Sequence, residues 1–241
     1  MIRASGLMKR FGHVRAVEDA SFSAADGRIT ALLGPNGAGK STTLRILSTV
    51  LKADSGEAWI DDHEVAADPM AVRRNIGVLP HAAGLYSRLT ARENIAYFGA
   101  LHGLKRSILK ERMDGLVERL DMGEIADRRV AGFSQGQRIK VALARALIHD
   151  PGNVMLDEPT NGLDVMSTRA LREIILGLKT EGRCVVFSSH IMQEVATLCD
   201  EVVIVASGSV RFEGTPEGLK ACTGQADLEE AFIQIVGEAE P

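Results

Sequence analysis

The sequence predicts an α/β fold that carries an inserted block of helices. Three observations predict it. A glycine-rich loop, "GPNGAGKS" from Gly34 to Ser41, stands between a short apolar strand and an apolar helix. A second apolar strand, "NVMLDEPT", ends in two adjacent acids, Asp157 and Glu158. Between these two features, from about His81 to Phe133, the apolar spacing turns helical. The chain has 241 residues, 45% of them apolar and 25% charged, enough to bury a core in one large domain or two small ones.

Bulk properties exclude several classes. A net charge of −4 offers no broad basic surface, so no nucleic acid is expected as a partner. Cys184, Cys199 and Cys222 have no paired spacing and read as buried or inert thiols in a reducing compartment. The longest apolar run, "VVIVA" at 202–206, is far short of a membrane span, and the opening "MIRASGLMKRFG" lacks the apolar stretch of a signal peptide. The expectation is a cytoplasmic chain that meets a membrane only through another chain.

Residues up to about Pro80 read as strands around the glycine loop. "RITALL" has the character of a buried strand, and "KSTTLRILSTVL" puts Leu44, Leu47 and Leu51 on one helical face. Gly34, Pro35, Asn36, Gly37, Ala38, Gly39, Lys40 and Ser41 fit G-x-x-x-x-G-K-[ST] in the strand–loop–helix context that a phosphate loop requires. Glycines let backbone N–H groups curl around an anion without a Cβ in the way, and the helix start adds unpaired donors. Lys40 supplies a mobile charge for the outer phosphates. Ser41 is placed for Mg²⁺, and Thr42 for a further phosphate contact. A loop that merely capped a helix would not need Lys-Ser after its last glycine.

"DPMAVRRN" reads as a short helix before the next strand. "TARENIAYFGALHG" follows as a helix capped by Thr90, with Glu93 placed for a capping box, and then "RSILKERMDGLVERLDM". Leu85, Tyr86 and Leu89, clustered in the preceding loop, suggest a contact patch; a packed surface loop is the plainer alternative.

Ser134 is a good N-cap for the long apolar helix after "FSQGQ". One chain rarely needs two anion-binding helix starts for one triphosphate. This one is more useful closing over nucleotide held by a partner chain, although a plain capped core helix has the same local sequence. The acids at the end of "NVMLDE" lie where open α/β sheets collect ligands. Alternation along a strand predicts different tasks for them: Asp157 on Mg²⁺ through water, Glu158 polarising the attacking water. The remaining segments alternate. A helix follows Asp164, then the strand "RCVVFSSH", the helix "IMQEVATLCD" and a strand pair joined by a Ser-Gly turn. A helix capped by Thr215 with Pro216 first comes next, and "ADLEEAFIQIVG" is a last amphipathic helix.

The phosphate loop, the Ser134-Gln135-Gly136-Gln137 segment, the Asp157-Glu158 strand, the loop from Asn161 to Asp164 and the strand-end His190 occur in one order. That set resembles the ATP-binding subunits of ABC transporters over nearly the whole chain. The resemblance implies a P-loop NTPase core of the ABC ATPase type, a mixed sheet with flanking helices. It divides the chain into a core at 1–80 and 134–215, a helical subdomain at 81–133 and a C-terminal helical extension at 216–241. It implies a head-to-tail dimer with two ATP molecules in the interface. Each would lie between one copy's phosphate loop and the other copy's residues 134–137. His190 would contact the γ-phosphate, and Asp164 would brace the facing phosphate loop. Phe11 would stack on adenine, for which a core phenylalanine is the alternative, and Val17 would line the same pocket. "GLYSRL" at 84–89, from Gly84 to Leu89, would meet an integral membrane subunit. The chain would then lie peripherally on the cytoplasmic face of the membrane.

Two positions depart from the family pattern. His81 stands where a glutamine usually contacts Mg²⁺ and the attacking water. A neutral imidazole can offer one nitrogen there and an imidazolium cannot, so a pH-sensitive switch is expected; loss of contact with the nucleotide is the alternative. Phe133-Ser-Gln-Gly-Gln replaces Leu-Ser-Gly-Gly-Gln, with Gln135 in a glycine position. The implied reaction is ATP + H₂O → ADP + phosphate, coupled to dimer closure. "GLYSRLTARENIAYFGALHG", "LDEPTNGLDVMSTRALRE", "SSHIMQEVATLCDEVV" and "DLEEAFIQIVG" resemble export subunits, the first three most nearly the sodium-extruding type. Drug, lipid or polysaccharide export is the second reading, and a soluble non-transport ABC ATPase the third.

Overall fold

A computed structural model describes residues 1–237. Ten strands, β1 (Ile2–Phe11), β2 (Val14–Ala24), β3 (Ile29–Leu33), β4 (Ser55–Ile60), β5 (His63–Glu64), β6 (Ile76–Leu79), β7 (Asn153–Asp157), β8 (Cys184–Ser189), β9 (Glu201–Ala206) and β10 (Ser209–Gly214), form one mixed sheet. Its order is β5-β4-β1-β2-β10-β9-β3-β8-β7-β6. The helices are α1 (Lys40–Leu47), α2 (Pro69–Asn75), α3 (Ala91–Leu101), α4 (Arg106–Arg119), α5 (Gln135–Leu147), α6 (Val165–Thr180), α7 (Met192–Leu198), α8 (Pro216–Thr223) and α9 (Leu228–Gly237).

Strands β9, β3, β8, β7 and β6 pair in parallel. Helices cover both faces of such a sheet, which explains the unbroken burial of "ITALL", "NVMLD" and "CVVFSS". Successive side chains still diverge: Ile29, Ala31 and Leu33 enter one apolar cluster and Leu32 the other. The other strands pair antiparallel, and a single parallel pairing, Ser209 with Asp19, joins the two regions. At the β9–β10 turn Ser207 and Gly208 both take positive φ, 49° and 79°. Two positive-φ residues suit a two-residue hairpin.

The helical block shares the larger apolar cluster with the sheet. Ile95, Val117, Leu120 and Phe133 lie in it with Val154, Leu156 and Phe187. Helix α5 joins the two regions: its first turn is largely open, and it is buried from Val141 onward. Thr90 and Glu93 form the expected capping box, Asp68 caps α2, and Thr215 caps α8 with Pro216 inside the first turn. Of the expected C-terminal extension, residues 238–241 lie outside the described residues.

Two local expectations need correction. Helix α1 stops at Leu47, because Thr49 turns left-handed at φ 63°; Leu51 packs from beyond the helix. Cys222 is exposed, so only Cys184 and Cys199 are held from solvent, and burial raises both thiol pKa values.

Candidate functional site

The loop after β3 has room for nothing larger than glycine at two points. A Cβ on Gly34 would lie 2.1 Å from the Val205 carbonyl oxygen, and one on Gly39, at φ 106°, would lie 2.3 Å from that of Ala16. Gly39 is the N-cap of α1 and brings no side chain to its first-turn amides. Lys40 is buried and donates to the carbonyls of Gly34 at 2.7 Å and Pro35 at 3.0 Å. Burial lowers its pKa, opposed by Glu158 and Asp157. From behind, the Gly208 amide donates to the Ala38 carbonyl, while the Gly208 carbonyl accepts from the amides of Glu18 and Asp19.

Asp157 ends β7 opposite Ser188 of β8. Its Oδ1 accepts from the Ser41 hydroxyl at 2.9 Å and the Ser188 hydroxyl at 2.7 Å. The Ser188 oxygen in turn accepts from the Glu158 amide at 2.9 Å. Strand alternation does not separate the two acids as expected. β7 stops at Asp157, and Glu158 leaves it with a left-handed backbone at φ 49°. A non-glycine residue in that region costs of order 1–3 kcal/mol, and such strain gathers at functional sites. The turn sets the largely buried Glu158 carboxylate between two imidazoles. His81 Nδ1 lies 3.4 Å from Oε2 and His190 Nδ1 lies 3.6 Å from Oε1. Asn161 Nδ2 also donates to Oε2 at 3.4 Å.

Sequence reasoning missed Ser188 and Asn161 as partners of the acids. The only signal for Ser188 was its position beside the strand-end histidine. Ser189 was missed as well. It donates to the buried Glu194 at 2.7 Å and accepts from the Ile191 amide at 3.0 Å, which pins the backbone around His190.

Ser134 caps α5 by accepting from the Gln137 amide, and Gln137 Oε1 accepts from the Ser134 amide. Gly136 faces α6: a Cβ there would meet Ser167 Oγ at 2.8 Å. Gln135 turns toward its own chain's acids and lines a small cavity with His81, Asp157, Glu158 and Asn161. Asp164 caps α6, accepting from both the amide and the hydroxyl of Ser167, which lowers its carboxyl pKa. Phe11 is 48% exposed at the end of β1, which removes the core reading. Val17 is buried below the phosphate loop, with its Cγ2 3.5 Å from a Cβ built on Gly39. Thr42 is half-buried in the first turn of α1.

The residues present fit Mg²⁺. Two hard oxygen donors, Ser41 Oγ and Asp157 Oδ1, already meet beside the glycine cradle, and Mg²⁺ favours few protein oxygens supplemented by water and phosphate. Among the described residues no group of three or more His, Cys, Asp and Glu could hold a metal by itself.

The glycine cradle, its buried lysine and the acid pair at the end of a parallel strand define a phosphate-loop nucleotide hydrolase. Residues 17–161 match the family model described as ABC transporter. The ABC transporter ATP-binding protein NatA of Bacillus subtilis is 45% identical over 91% of this chain and 90% of its own length. The daunorubicin resistance ATP-binding protein DrrA3 of Streptomyces coeruleorubidus is 37% identical over 92% of this chain and 71% of its own. A solved ATP-binding subunit of an ABC transporter superposes with a TM-score of 0.89 at 28% identity, covering 98% of this chain and 99% of that one. A dimeric bacterial cassette shares the fold at a TM-score of 0.81 and 24% identity, over 89% of this chain and 98% of that one. The chain belongs to the ABC transporter family, as an ATP-binding subunit and an ATP hydrolase of the ABC type. Among the described residues no helix is long and apolar enough to cross a membrane.

Proposed function

We propose that this chain powers an exporter: two copies close head to tail on two ATP molecules, and hydrolysis reopens them against a separate membrane subunit. The observation that carries the chemistry is the arrangement of Ser41, Asp157 and Glu158 below the phosphate loop. Loop amides and Lys40 hold the phosphates, Lys40 exchanging its loop carbonyls for phosphate oxygens. Ser41 and Asp157 hold Mg²⁺, which when bound offsets phosphate charge. Glu158 accepts the proton of the attacking water, and His190 contacts the γ-phosphate. His81, with Nδ1 3.4 Å from Glu158 Oε2, stands beside the metal site, where a neutral imidazole offers one nitrogen to Mg²⁺ or the attacking water. Phe11 stacks on adenine, an interaction worth about 1–3 kcal/mol for bases on aromatic rings.

The second copy presents its residues 134–137 to the γ-phosphate. Asp164 sits beside Val165 and Met166, apolar side chains 83% and 73% exposed, which supports a chain-to-chain contact at this corner. Residues 81–133 act as the helical subdomain between the core segments 1–80 and 134–215, and 216–241 as an extension. The stretch 84–89 meets the membrane subunit and holds the chain on the cytoplasmic face. There the half-exposed Tyr86 stacks edge-on against Tyr97, and buried Asn94 clamps the Tyr86 amide and carbonyl. Relatives named for daunorubicin resistance and Nod factor export support outward transport. The resemblance of three stretches to sodium-extruding subunits supports Na⁺ as the cargo, with drugs, lipids or polysaccharides second.

The test reconstitutes the chain with the membrane protein that co-purifies with it and follows ²²Na⁺ flux in vesicles. ATP-driven Na⁺ movement, lost in Glu158→Gln, is expected. ATP-driven movement of a drug instead would replace the cargo. A monomer with slow, unchanged turnover in saturating Mg-ATP would replace the transporter reading with a regulatory module.

A further inference from the structure

On one face of β8, Cys184 and Val186 enter the smaller apolar cluster, and the next side chain on that face is the hydroxyl of Ser188. Ser188 is fully buried. A buried hydroxyl costs free energy unless it is hydrogen-bonded, so an apolar residue would be the simpler end to this row. Both partners of the hydroxyl belong to the acid pair. Its hydrogen goes to Asp157 Oδ1 at 2.7 Å, and its oxygen accepts from the Glu158 amide at 2.9 Å. A hydroxyl has one hydrogen to give, and both of its roles are used here.

The second of these bonds falls where the sheet gives out. The β7–β8 register ends at the pair Asp157–Ser188. One residue further on, Glu158 turns left-handed at φ 49°. Its amide is held by a side chain of β8, and its carbonyl accepts from the Asn161 amide at 3.2 Å. The peptide groups on both sides of the strained Cα are therefore tied. An extended backbone at Glu158 would send its side chain to the face opposite Asp157. The carboxylate would then leave His81, His190 and Asn161, the three groups that now surround it.

We propose that Ser188 is a positioning residue for hydrolysis: its hydroxyl holds the left-handed turn that keeps the Glu158 carboxylate beside Asp157, and so sets where the attacking water is activated. This rests on the assignment of Glu158 as proton acceptor in the preceding section and adds the group that aims it. Removing the hydroxyl should slow the chemical step. Nucleotide binding, carried by the loop amides and Lys40, should stay intact, and Asp157 keeps its bond from Ser41.

The experiment measures single turnovers of γ-labelled ATP by the full chain at saturating Mg-ATP, for Ser188→Ala, Ser188→Cys, Glu158→Gln and the double variant Ser188→Ala/Glu158→Gln. Affinity is read separately with a fluorescent ATP analogue. Misplacing a reacting group by about 1 Å can cost about 10²-fold, so Ser188→Ala should lower the rate by about 10- to 100-fold, with affinity within about twofold of the parent. In the Glu158→Gln background the same change should move the residual rate by less than about twofold, because Ser188 acts through the group already removed. Ser188→Cys keeps the volume but hydrogen-bonds weakly, and it should lose rate as the alanine does; it carries the measurement if Ser188→Ala fails to fold. An unchanged rate, a loss shared equally by affinity, or a full loss persisting in Glu158→Gln overturns the inference. So does failure of both Ser188 variants to fold, which assigns the hydroxyl to stability. If Glu158→Gln is slow and the Ser188 variants are not, the inference alone fails. If Glu158→Gln turns over at the parent rate, the proton-acceptor reading fails with it.

Discussion

The Ser41 hydroxyl donates to Asp157 Oδ1 at 2.9 Å, joining the first turn of α1 to the end of β7. The pair links the phosphate loop to the acids through two oxygens that Mg²⁺ favours. Asp157→Asn keeps the shape and loses the charge. The expected outcome is a loss of at least tenfold, about 1.4 kcal/mol, in the affinity that Mg²⁺ adds to ATP. Binding of a fluorescent ATP analogue with and without Mg²⁺ measures it. An unchanged difference would remove Asp157 from the metal.

Glu158→Gln removes the proton acceptor and keeps the size. Turnover should fall by about 10²–10⁴, the usual worth of a positioned general base, while ATP affinity stays within a few-fold. Light scattering in Mg-ATP should then show a dimer that the parent protein only passes through. Unchanged turnover would assign the water to another group.

His81 Nδ1 approaches Glu158 Oε2 at 3.4 Å, on the opposite oxygen from His190. An amide in its place can still donate to Glu158 but cannot take up a proton, so His81→Gln should change the shape of the ATPase pH profile. Superimposable profiles would make His81 a spacer.

His149 predicts a pH effect on stability. Burial, aided by the stacked His102 at 3.7 Å, pushes its imidazole from 6.5 down to about 4. Its Nε2 is 2.8 Å from the Ile76 carbonyl, and Nδ1 is buried with no partner among the described residues. The folded state resists the proton that the unfolded chain accepts. Stability is therefore full above about pH 6.5 and is lost as pH falls toward 4. The loss is about 1–2 kcal/mol, discounted for the ring's partly open side. Urea unfolding at pH 7 and pH 5 should show a smaller difference in His149→Phe than in the parent.

What the sequence disclosed was local. Residues 34–42 announce a phosphate loop because an anion cradle needs its glycines, lysine and hydroxyls within one turn of chain. Thr90 and Glu93 announce a helix start because their contact spans three residues. What it concealed depends on distant chain meeting. Ser188 reaches Asp157 across a parallel pairing, 31 residues away. The left-handed backbone of Glu158 has no signature in "LDEPT", and alternation therefore misplaced the reason the acids diverge. Arg145 read as one more residue of a buried helix; its contacts with the Phe98 ring and the Gly84 carbonyl are visible only once α3 and the loop at Gly84 fold over it. The packing of Val17 under Gly39 is likewise visible only once β2 lies beneath the loop.

The peptide at Gly208 hands its hydrogen to Ala38 and takes two in return from Glu18 and Asp19. A hairpin tip is thus riveted to the floor of the phosphate loop, and its outgoing strand runs straight to α8 and α9. The nucleotide's seat and the strand leading to the C-terminal helices therefore share this amide contact as well as the direct β9–β3 pairing.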